Sequence, residues 1–190
     1  MSKKIDIFAL YLSNYHQFLT GREIARKCEW NHQTALPILT ELVNEGLLKK
    51  TIQGKNYLYT PNLDRFEVIQ YIMLAEQMFS LKRLEQFEIK KIVESIIPHC
   101  ETIIIFGSFA KSSEKEDSDV DIIIINATSK NEIEKIKKRF PRDLSIEYSS
   151  WKKFTTSVSQ HNSLSIEIIK NHLLFGNSIP FINIVKYFKL

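Results

Sequence analysis

Apolar residues recur at helical spacing through the first third of the chain. Ile5, Phe8, Ala9 and Leu12 share one face of residues 4–14, which predicts a first helix. Thr20 followed by Glu23 has the spacing of a capping box, with Ile24 and Ala25 facing inward behind it. Asn31 is placed to cap a third helix that carries Ala35, Ile38, Leu39, Leu42 and Val43 and stops at Gly46. Pro37 removes a hydrogen bond inside that helix, so the pattern predicts either a kink or a later start. Two strand-like runs follow, 47–52 and 55–60, joined across Gly54 as a hairpin.

The period then returns to helical. Phe66, Ile69, Ile72 and Met73 mark a helix over 64–79 with Asp64 as its cap, and Leu84, Phe87, Ile89, Ile92, Val93 and Ile96 mark another over 82–97 that ends at Pro98. Beyond it come two short β-branched runs, 103–106 and 122–125, each bounded by polar residues and each read as a buried strand. Residues 144–148 alternate apolar and polar, as a half-buried strand does, with Glu147 on the polar face. An amphipathic helix, a strand and a turn close the chain over 166–182. The class predicted is α+β. The 190 residues suit two small domains, one over 1–62 and one over 82–190, joined by a linker helix over 63–81. That helix is either a linker, a dimer interface or simply packing for its neighbours.

Three helices followed by a hairpin resemble a winged helix-turn-helix domain. The resemblance implies that the third helix enters the DNA major groove with His32, Gln33 and Thr34 at the base edges, and that Lys49, Lys50 and Lys55 meet phosphates. Residues of these types also serve solubility alone, and winged helices also dock proteins. Residues 1–62 carry eight Lys or Arg against five Asp or Glu, and the pI is about 8.9, which permits DNA binding without requiring it. With so small a surplus, a homodimer that doubles the phosphate contacts is the expected binding form.

The most specific chemistry lies between the two buried strands, where Gly107-Ser108 opens a turn and Asp119-Val120-Asp121 leads into the second strand. Strand alternation points Asp119 and Asp121 the same way, with Cα atoms roughly 6.6 Å apart. Two carboxylates so placed repel, and a divalent cation relieves the repulsion. Oxygen-only donors suit Mg²⁺, which is ordinarily held by one or two carboxylates and by substrate phosphates. Gly107 frees the backbone to approach a ligand and Ser108 adds a hydroxyl, while the spacing is not that of a P-loop.

Gly107-Ser108-Phe109-Ala110 followed by Ser118-Asp119-Val120-Asp121 resembles the signature of minimal nucleotidyltransferases of the DNA polymerase beta-type superfamily. The chain departs from that pattern at Ser112, where the family often has Gly, and at Glu147, where the third family carboxylate is more often Asp. Asp143 is the alternative third acid. The resemblance implies catalysis by Asp119, Asp121 and Glu147, which also hold one or two Mg²⁺ ions. It implies a nucleoside triphosphate, ATP first, bound at Gly107, Ser108 and Lys111, although Lys111 is equally well read as part of a solvated charged turn. It further implies transfer of a nucleotidyl group, AMP, to an acceptor hydroxyl, on a partner toxin protein if the chain works as antitoxins of that family do. The other reading is a DNA-binding transcriptional regulator whose second domain senses a nucleotide or binds a partner without catalysis.

Cys28 and Cys100 have no metal-ligand spacing, and the five histidines form no His-x-x-x-His cluster, so reduced thiols and no zinc are expected. No run reaches about 18 apolar residues and the N-terminus has no signal-peptide pattern, which leads to a cytoplasmic expectation.

Overall fold

A computed structural model describes residues 2–85, 87–115 and 118–189. They fall into two units, Met1–Ala75 with Val185–Leu190, and Glu76–Ile184.

The first unit opens with α1 (Lys3–Ala9), β1 (Leu19–Thr20), α2 (Gly21–Lys27) and α3 (His32–Asn44). β2 (Leu48–Gln53) and β3 (Asn56–Pro61) then form an antiparallel hairpin, and β1 adds to β3 for a sheet of order β1-β3-β2. This is the winged-helix arrangement, three helices and a wing. The Thr20 hydroxyl accepts from the Glu23 backbone N–H at 3.2 Å and the Glu23 carboxylate accepts from the Thr20 N–H at 2.7 Å, the full capping box. Asn31 caps α3 by accepting from the Thr34 N–H at 2.7 Å. Of the two outcomes open for Pro37, the late start does not occur, since α3 begins at His32 and runs through the proline.

α1 corrects the expectation of a helix to residue 14. It ends at Ala9, because the next turns are held otherwise: the Tyr11 hydroxyl donates to the Tyr59 carbonyl at 2.9 Å and Gln17 donates to the Leu10 carbonyl. The following helix is corrected too. α4 spans Phe66–Arg83, starting later and ending later than the pattern predicted, and Asp64 does not cap it but accepts an ion pair from Lys49 at 2.7 Å.

The second unit is a mixed sheet of order β6-β5-β4-β7, covered by helices. α5 (Phe87–Ile96) and a 3₁₀ turn lead into β4 (Thr102–Phe106), α6 (Gly107–Lys111) and β5 (Val120–Ile125). α7 (Lys130–Arg139), β6 (Leu144–Ser149), α8 (Trp151–Ser159), α9 (Ser163–Lys170), β7 (Leu173–Gly176) and α10 (Ile179–Tyr187) follow. β4 pairs antiparallel with β5 and with β7, whereas β5 and β6 run parallel. Alternate residues of the fully buried strands serve two layers. Ile103, Ile105, Ile122 and Ile124 pack with Ile89, Ile92 and Ile96 of α5 and Ile133 of α7. Ile123 faces Phe154 of α8 and Ile168 of α9 across a small hollow, and Asp121 shares that face one pleat earlier.

A buried ion pair sits in this unit. His172 Nε2 faces both Glu76 carboxylate oxygens at 3.1 Å, and Nδ1 faces the Ile168 carbonyl at 2.9 Å. Burial opposes the imidazolium charge, but the Glu76 carboxylate and these acceptors outweigh it and raise the His172 pKa. Glu101, at the end of β4, has its carboxylate filled by Asn126, Trp151 and Asn177, which donate at 2.6, 3.1 and 2.9 Å. Among the described residues no helix is long and apolar enough to cross a membrane.

Candidate active site and candidate nucleic-acid interface

Antiparallel pairing sets Phe106 opposite Asp121, so the residue after Phe106 lies against the Asp121 side chain. That residue is Gly107, in the left-handed region at φ +68°, and a β-carbon there would overlap Asp121 Oδ2. Ser108 follows on the single turn of α6, which ends at Lys111. Ser112 is also left-handed, φ +56°, a conformation that glycine adopts without strain. The departure from the family pattern at residue 112 thus falls on a position whose backbone favours glycine.

Two arginines brace this segment. Arg83 donates to the Phe109 carbonyl at 2.7 Å and to Glu114 at 3.3 Å. Arg142 donates to the Ser118 and Lys115 carbonyls at 2.8 and 3.3 Å, pairs with Glu88 at 3.2 Å and lies 5.4 Å from the centre of the Phe109 ring. Arg142 therefore fixes the backbone immediately before Asp119.

Three other acids act on Asp121 through their charge. Its carboxyl is pushed above the ordinary range, first by loss of water and then by the negative charges of Asp119, Glu167 and Glu147. Parallel pairing puts Ser145 beside Asp121 and Glu147 beside Ile123, so Glu147 shares the Asp121 face one pleat deeper. Asp143 precedes β6, and its carbonyl accepts from the Val120 N–H at 3.0 Å. Glu147 also lines a hollow of about 190 Å³ with Lys153, Ser157 and Ser165. Glu167 reaches in from α9 and pairs with Lys111 at 2.5 Å. Of the residues expected to act here, the structure groups Gly107, Ser108, Asp119, Asp121 and Glu147, and it ties Lys111 to an acid.

Glu167, Arg83 and Arg142 carry no local sequence signal. Glu167 lies 56 residues from its lysine partner, and the two arginines reach the turn from α4 and from just before β6. Among the described residues no three His, Cys, Asp or Glu side chains gather into a cage for a metal ion. A pair of hard carboxylates beside a side-chain-free glycine is still the donor set Mg²⁺ uses with phosphates as its remaining ligands.

On the winged helix, His32 and Gln33 are exposed at the start of α3 and Thr34 is half-buried. Lys49 is held by Asp64, Lys50 lies 3.7 Å from the centre of the Tyr57 ring, and Lys55 is exposed at the hairpin turn. Ile52 and Tyr57 face each other across the hairpin and are 73% and 50% exposed.

Comparison with protein families matches residues 88–179 to the family described as polymerase beta, nucleotidyltransferase, and residues 20–101 to that of the penicillinase repressor. Comparison with curated proteins gave no significant match. Among solved structures, the chain is similar at 15% identity and a TM-score of 0.28 to TrmBL2, described as an archaeal chromatin protein with a novel mode of DNA binding. The similarity covers 79% of this chain and 62% of that one, so the chain spans less than two thirds of that protein. The chain joins a winged-helix domain of the repressor type to a nucleotidyltransferase domain of the polymerase beta type.

Proposed function

We propose that the chain is a Mg²⁺-dependent nucleotidyltransferase that transfers AMP from ATP to an acceptor hydroxyl and that binds DNA, as a homodimer, through its winged helix. The observation that carries the catalytic half is the strand register, which sets Asp121 into the room left by Gly107 and puts Glu147 on the same face one pleat deeper. Asp119 and Asp121, with Glu147, would hold the ion, which supplies neutralisation of the attacking and leaving oxygens when bound. Ser108 and Lys111 would bind the triphosphate, with Lys111 exchanging Glu167 for a phosphate. Glu147 would accept the proton of the acceptor hydroxyl as its oxygen bonds to the α-phosphorus, and the bond to the departing pyrophosphate breaks. The acceptor we propose is a protein hydroxyl on a partner toxin. The cytoplasm supplies ATP, Mg²⁺ and DNA together.

Incubation with Mg²⁺ and α-labelled ATP tests this. Label should reach protein or an added acceptor with the intact chain and not with Asp119→Asn or Asp121→Asn. The second reading, a regulator that binds nucleotide or partner without catalysis, is favoured by the Lys111–Glu167 pair, which occupies the lysine of α6. Nucleotide binding without label transfer selects it. For DNA, Lys49→Ala with Lys50→Ala should weaken all sequences alike and flatten the salt dependence.

A further inference from the structure

The outward face of α3 is unusual for what it lacks. Its thirteen residues, HQTALPILTELVN, include neither Lys nor Arg. Ala35, Leu39 and Leu42 point into the core, which leaves His32, Gln33, Leu36, Pro37 and Thr40 facing out as one stripe, continued by Glu41, whose charge is paired with Lys4 at 2.8 Å. Leu36 is 45% exposed although it is a large aliphatic side chain. The Thr40 hydroxyl is turned back to donate to the Leu36 carbonyl at 2.9 Å, so the methyl is the part of Thr40 left to present. Pro37 contributes ring methylenes and no N–H.

Base pairs offer different partners to such a stripe. Guanine shows two acceptors in the major groove and is read best by Arg or Lys, which α3 does not have. Adenine shows an acceptor beside a donor, the complement of the Gln33 carboxamide. Thymine shows a methyl group, which apolar side chains cover. Water is removed from Leu36 and from the thymine methyl in the same step.

We propose that α3 specifies adenine–thymine pairs, with Gln33 reading adenine and the Leu36, Pro37 and Thr40 stripe reading thymine methyls. This rests on the reading of the winged helix as DNA-binding. Affinity comes from the lysines of the wing, and sequence choice comes from a helix that carries no guanine-reading cation.

The test selects duplexes from a random pool with the intact chain, then replaces each selected thymine by deoxyuridine, which removes only the methyl. Adenine–thymine pairs should be enriched at the α3 positions. One deoxyuridine replacement should weaken binding about fourfold, the worth of one buried carbon. Leu36→Ala should narrow the preference for thymine over deoxyuridine at the position Leu36 covers, and Gln33→Ala should lose roughly tenfold of the adenine preference with an unchanged salt slope. Both side chains are exposed, so both variants should keep the parent's circular dichroism and melting temperature. Enrichment of guanine–cytosine pairs overturns the inference, as does indifference of the intact chain to deoxyuridine. Binding with no sequence preference overturns it while leaving the DNA-binding reading intact. Failure to bind any duplex removes both.

Discussion

The side chain of Asp121 occupies the space where a β-carbon on Gly107 would stand. Gly107→Ala therefore meets two penalties, overlap with a carboxylate oxygen and a left-handed backbone at φ +68°. Together they should cost about 2–4 kcal/mol, measured by urea unfolding. The same variant should turn the Asp121 carboxylate away and lose Mg²⁺-dependent ATP binding in calorimetry.

Ser112 offers the opposite change. Its φ of +56° is strained for serine and free for glycine, so Ser112→Gly should stabilise the fold by about 0.5–1 kcal/mol. A melting temperature that rises while nucleotide binding is kept or improved is the expected result.

The negative charges of Asp119, Glu167 and Glu147 act on Asp121, and the repulsion is greatest without a cation. Asp121→Asn should melt higher than the parent in the absence of Mg²⁺ and should show no rise when Mg²⁺ is added. The parent should gain stability on Mg²⁺ titration.

The Lys111–Glu167 pair is partly exposed, so its removal should change stability by less than about 1 kcal/mol. Glu167→Gln releases the lysine and removes a negative charge from the triphosphate's path. Steady-state kinetics should show a lower KM for ATP, with the difference shrinking as salt is raised.

His172 and Glu76 give the second unit a pH dependence. The His172 pKa is raised in the fold, so its contribution is fully present below the ordinary histidine value of about 6.5 and is lost as pH climbs through the raised one. Unfolding free energy should fall on that alkaline side. Glu76→Gln should flatten the fall, because it removes the carboxylate that keeps the buried imidazole protonated.

Sequence patterning was legible wherever the determinants were local. Thr20 with Glu23 and Asn31 with Thr34 lie within one turn of each other, and both caps form as their spacing requires. Gly107, Asp119 and Asp121 were legible for the same reason, since one hairpin-like pairing carries all three. α7 gave no comparable signal, because KNEIEKIKKR offers only Ile133 and Ile136 among eight polar residues, and the helix exists to cover a sheet the sequence does not display. α1 stopped early because Tyr11 and Gln17 make tertiary bonds that outweigh local propensity. Glu167, Arg83 and Arg142 meet the site through the fold alone.

The central strand β4 has a further meaning for how the chain is made. Its two neighbours are reached at very different times, β5 just after it and β7 far later, with the Thr102 hydroxyl donating to the Asn177 carbonyl 75 residues on. During synthesis one edge of Thr102–Phe106, with three consecutive isoleucines, waits open on the ribosome until β7 emerges. A chain interrupted between β6 and β7 would present an open apolar strand edge rather than a closed sheet. The order of synthesis thus leaves this strand edge dependent on the segment that carries β7.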